Sequence, residues 1–123
     1  MSAPKLPLAE ALSLLRSLGR AMVTVQGGSA MATLVGPLDF VEKGAELQVK
    51  VGCACSIALP RDRLRQAVFG EKDFGAGVEA HVQVFDGNYD KIVAFRFPEG
   101  THGIRELATR LDGNDFEIAA THA

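Results

Sequence analysis

An α+β domain built on one large antiparallel sheet, with a helix near each end, is the fold class this sequence predicts. Three observations carry it. Leu8, Leu12, Leu15 and Leu18 recur at helical steps near the start. Period-two patterning then dominates from Ala21 to Phe97. Helical spacing returns in Ile104, Leu107, Ala108 and Leu111. Helix, a run of strands, then helix is the order of an α+β domain. At 123 residues the chain matches one domain, residues 1–123.

Each element has its own signal. The first helix spans Leu8–Leu18, with Pro7 suited to its first turn and Gly19 to its stop. Ala21–Gln26 and Met31–Val35 read as strands of a hairpin turning at Gly27-Gly28-Ser29. Gly36-Pro37 breaks the second strand, and Leu38–Val41 forms another, ended by Lys43-Gly44. The cleanest alternation follows, with Leu47, Val49 and Val51 opposite Glu46, Gln48 and Lys50. Carried past Gly52, it places Cys53, Cys55, Ile57 and Leu59 on the apolar side until Pro60. Arg61–Phe69 is predicted as a short helix or turn, and Gly70–Gly77 as a loop. Val78–Phe97 is a hairpin whose turn is Asp86–Asp90. Thr101 is expected to cap the closing helix and Gly113 to end it. Phe116 and Ile118 mark a short strand in the tail.

Composition narrows the function. Hydrophobic residues make up 47% and charged residues 23%, a globular mixture. A formal charge of −2, no Trp and one Tyr speak against a nucleic-acid partner, which would use a basic face and stacking aromatics. No stretch approaches the ~20 apolar residues of a membrane span. No secretory signal is evident in Met1-Ser2-Ala3-Pro4-Lys5 and the leucine-rich stretch after it, so the expected location is cytoplasmic.

Chemistry-bearing motifs are sparse. Nucleophile elbow, phosphate loop and zinc-protease helix are all missing, so the sequence nominates no catalytic residue. Cys53 and Cys55 form a C-x-C pair suited to a soft metal, but no second pair completes a four-ligand site. Their apolar facing favours two small core residues. A disulfide between them would span about 6–7 Å on a strand, at the upper limit of easy bridging. Arg61, Arg63 and Arg65 form a cationic edge balanced by Asp62, Glu71 and Asp73, which reads as a solvated face. His102 at a helix start and His122 near the end show no ligand spacing. His81 lies on the more polar face of a central strand beside Glu79 and Gln83, where it is either a surface imidazole or a ligand lining a cleft.

The stretch Ala80-His81-Val82-Gln83-Val84-Phe85-Asp86, followed by turn, strand and helix, resembles the haem-utilisation carriers of the HemS/ChuX/HutX type. Gly19-Arg20-Ala21-Met22-Val23-Thr24-Val25 is similar to that family's opening strand, and Ser56-Ile57-Ala58-Leu59 to a later one. The resemblance covers about residues 19–112. It implies an intracellular haem-binding protein of iron utilisation, a homodimer with two sheets facing each other, and haem held at the sheet surface. The chain departs from the family pattern: Val41, Lys43 and Ser56 stand where family members place histidines, and Ala94 replaces a lysine. Iron would then fall to His81, with Cys55 second, and the ligand's carboxylates to Arg96 beside Gln83. The alternative is a relative of the same fold that binds another small apolar ligand or a protein partner, without catalysis.

Overall fold

The structure is a computed structural model, and it describes residues 4–27, 30–52, 55–75 and 77–119. Its backbone is a seven-stranded sheet, faced by two helices and a three-stranded sheet. The strands are β1 (Lys5–Pro7), β2 (Ala21–Gly27), β3 (Ala30–Gly36), β4 (Leu38–Lys43), β5 (Glu46–Val51), β6 (Cys55–Pro60), β7 (Gln66–Asp73), β8 (Val78–Phe85), β9 (Lys91–Phe97) and β10 (Asp115–Ala119). The helices are α1 (Leu8–Ser17) and α2 (Thr101–Leu111). In the large sheet the order is β1-β10-β7-β8-β9-β2-β3, and in the small one β4-β5-β6. Every pairing is antiparallel except β1 with β10. The expected α+β class and its two terminal helices are therefore present.

Alternation in β8 and β9 decides which face of the sheet is dry. Ala80, Val82 and Val84 are buried on β8, and Val93, Phe95 and Phe97 on β9. They meet Leu8, Ala11, Leu15 and Leu18 from α1 and its cap, and Ile104 and Leu107 from α2. The small sheet adds Leu38, Leu47, Val49, Val51 and Leu59 to the same core, and Phe40 meets the ring of Phe95 edge-on at 6.5 Å. Burying each of the Val, Leu, Ile and Phe side chains contributes about 1.5–3 kcal/mol. Helix α2 can start close to the end of α1 only because its cap residue Gly100 and Gly103 in its first turn lack side chains. A Cβ at Gly100 would come 2.7 Å from Phe97 Cβ, and one at Gly103 2.7 Å from Leu18 Cδ2.

Several expectations are corrected. The alternation from Leu47 to Leu59 is a hairpin, because Gly52 turns the chain at φ +72 and Val51 pairs with Cys55. The small sheet built from it is a separate layer, so the helices do not cover the dry face alone. Only Arg61–Arg63 forms a helical turn; from Gln66 the chain is strand, continuing through Gly70 to Asp73. The loop is thus shorter than Gly70–Gly77. Pro7 ends β1 and precedes α1 rather than lying in its first turn. Gly100, not Thr101, caps α2, and its last turn closes on Asp112 in the left-handed region at φ 52. The Gly27-Gly28-Ser29 turn and Cys53 lie wholly or partly outside the described residues. The tail strand exists as β10, between β7 and the unforeseen β1.

Candidate functional site

The face of the large sheet turned away from the core is half-exposed. Parity along β8 sends Glu79, His81, Gln83 and Phe85 to it, and β9 contributes Ile92, Ala94 and Arg96. Register sets their neighbours: His81 stands opposite Arg96 on β9 and Gly70 on β7, while Gln83 stands between Ala94 and Val68. Met22 and Thr24 of β2 continue the face beyond Arg96. The sequence-predicted trio His81, Gln83 and Arg96 is therefore brought onto one surface, with His81 and Arg96 side by side.

His81 leans over β7. A Cβ on Gly70 would lie 3.7 Å from its Nε2, an ordinary contact, so the ring edge rests over the β7 backbone there. Among the described residues no hydrogen bond or ion pair engages the imidazole; its aromatic contact is the ring of Phe74, edge-on at 6.5 Å. Partial burial holds its pKa below the ordinary 6.5, and the Lys72 ammonium adds to the effect. A neutral imidazole with an unbonded nitrogen is the form that ligates a metal.

Arg96 is engaged within the chain. Its Nε and Nη2 donate to Glu79 Oε1 and Oε2 at 3.2 and 3.0 Å, a two-pronged pair. Its Nη1 is 3.4 Å from Met22 Sδ. The Phe74 ring caps the guanidinium, with 3.8 Å from Cζ to the ring centroid, and Lys72 Nζ is 5.5 Å from the same ring. An incoming carboxylate would have to compete with Glu79 for this fork.

Cys55 sits elsewhere. It opens β6 in the small sheet, and although it shares parity with Ile57 and Leu59, it is exposed. The expected apolar burial fails there, at the end of the hairpin where Cys55 pairs with Val51. His81 and Cys55 thus belong to different sheets, and no cluster of three or more metal-binding side chains is found among the described residues. Sequence reasoning missed Phe74, Gly70 and Met22. Phe74 follows a strand into a loop and has no periodicity to reveal it, while the other two become neighbours only through strand order. No helix among the described residues is long and apolar enough to cross a membrane.

Solved structures share this architecture. A crystal structure of ChuX superposes with a TM-score of 0.70 at 10% identity, covering 85% of this chain and 71% of that one. The fold is that of ChuX. A second structure, described as that of the heme binding protein ChuX, gives 0.67 at 10% identity over 85% and 72% of the two chains. A structural-genomics protein from Erwinia carotovora gives 0.66 at 13% over 84% and 70%. One from Agrobacterium tumefaciens gives 0.63 at 14% over 85% and 64%. No family model and no curated protein matches the chain. The likeness to ChuX is thus one of fold, and the resemblance read from the Ala80–Asp86 stretch holds at that level.

Proposed function

We propose that this chain is a cytoplasmic haem-binding protein of iron utilisation that carries the porphyrin on the outer face of its large sheet. The observation that carries the reading is the unbonded His81 imidazole, favoured in its neutral form and lying beside Gly70, on the fold of a protein described as heme-binding. In this reading His81 is the iron ligand. Gln83, Phe85, Val68 and Ala94 line the porphyrin's path along β7–β9. A bound haem would supply the iron; the chain would supply the imidazole and a half-exposed sheet surface. Val35, 61% exposed on β3, and half-exposed Met22, Phe85 and Ile92 leave apolar area that a second copy would cover, and self-complementary two-fold pairing is the commonest arrangement.

The test is a titration with ferric haem followed at the Soret band. A saturable shift at one equivalent per chain or per dimer, largely lost in His81→Ala, supports the reading. A flat titration with a folded protein rejects it. A second reading is a relative of the same fold that binds another small apolar ligand or a protein partner. The Arg96–Glu79 pair favours it, because that fork is already closed to a propionate.

A further inference from the structure

The three arginines of the turn before β7 differ in what they touch. Arg61 donates to the Gly44 carbonyl at 2.7 Å and lies 3.6 Å from Glu42. Arg63 donates to Asp86 Oδ2 at 3.0 Å. Arg65, among the described residues, has neither an ion pair nor a side-chain hydrogen bond. Its backbone, however, is fixed on both sides: its N–H donates to the Phe85 carbonyl at 3.0 Å and its carbonyl accepts from Ile118 N–H at 2.9 Å. A free guanidinium on a rigid stem borders a cleft of about 390 Å³, within the ordinary range for small-ligand sites. Lys5, Tyr89, Glu117 and Ile118 share the lining.

Tyr89 stands at the edge of the same cleft. In Asp86-Gly87-Asn88-Tyr89-Asp90 it is the tyrosine that takes φ +63, although Gly87 and Asn88 would adopt that conformation at less cost. Its ring is 76% exposed, so the strain serves no core packing. The turn holds this conformation, with Tyr89 N–H donating to the Asp86 carbonyl at 3.1 Å, and it leaves the ring at the edge of the cleft.

We propose that this cleft binds a small, singly charged organic carboxylate with a flat apolar body. The Arg65 fork takes the carboxylate, and Lys5, loosely paired to Glu117 at 3.9 Å, adds positive charge. The Tyr89 ring covers the flat body against Ile118. Glu117 and Asp86 in the same wall disfavour a doubly charged phosphate. The cleft adjoins the β8–β9 turn, and His81 lies four residues back along β8, roughly 13 Å away. The two sites are therefore separable.

Amide NMR titrations of the full chain with benzoate and with inorganic phosphate test the proposal. Benzoate is expected to give saturable shifts at Arg65, Tyr89 and Glu117, with phosphate at least about tenfold weaker. Arg65→Gln should weaken benzoate about tenfold with the rest of the spectrum unchanged. Tyr89→Gly should weaken it too while raising Tm by about 3 °C as the backbone relaxes. His81→Ala should leave the benzoate titration as it was. Non-saturating shifts, phosphate binding as tightly as benzoate, or full affinity in Arg65→Gln or Tyr89→Gly would overturn it.

Discussion

His81 is held neutral by partial burial and by Lys72, so its protonation is opposed in the folded state. The unfolded chain, with the ordinary value near 6.5, then takes up more protons as pH falls. Stability from this group is complete above about pH 6.5 and is lost as pH drops through the lower folded value. Histidine NMR titration is expected to give His81 a pKa below the ordinary 6.5. Phe74→Ala uncovers the ring and should return it toward 6.5; an unchanged value would show that Phe74 plays no part in the burial. Asp86 has the same sign at lower pH. Hydrogen bonds from Asp90 N–H, Arg63 and Asn88 N–H hold its carboxyl below the usual range, so its contribution disappears as pH falls below about 4. Cys55, exposed at its hairpin end, is expected to react with iodoacetamide in the folded protein.

At the scale of elements, Gly36 is the sharpest test of how the two sheets join. A Cβ there would stand 2.9 Å from Gly52 N and 3.0 Å from its Cα, so the backbone must shift to admit it. Gly36→Ala is expected to cost about 1–3 kcal/mol in urea unfolding. The elements the sequence announced best are those with one wet and one dry face. Strands β8 and β9 alternate cleanly because the core takes Val82 and Phe95 while His81 and Arg96 stay outside. Strand β7 was hidden by its lead-in, since the Arg61–Arg65 alternation belongs to a turn and only Ala67 and Phe69 go inward. Strands β5 and β6 merged because period two continues unbroken through Gly52, whose positive φ no pattern announces. Three-residue β1 has no periodicity at all. For the site, strand parity placed His81, Gln83 and Arg96 on one face. The grip of Glu79 and Phe74 on Arg96 depends on strand register and on a loop folding back, which single-strand parity does not encode.

For the whole molecule, one core unites two sheets and two helices, and Phe95 sits at its centre, 2% exposed and touching Phe40 and Phe97. Phe95→Ala is expected to lower unfolding free energy by about 3–5 kcal/mol. The outer face leads to a different expectation. Sedimentation at micromolar concentration should find a dimer, and Val35→Lys, which puts charge on that face, should shift it toward monomer with little change in the stability of each subunit. A monomer at all these concentrations would leave the apolar side chains of β2, β3 and β9 without the proposed cover.

Strand β10 is made after everything it joins. Lys5 pairs with Glu117, and Phe116 with Ala67, so both neighbours of this strand leave the ribosome well before it does. Until then the nascent chain carries β7 with one bare hydrogen-bonding edge, and β1 has nowhere to dock. Emergence of β10 is therefore the moment that seals the rim and removes the site where two unfinished chains would pair by mistake.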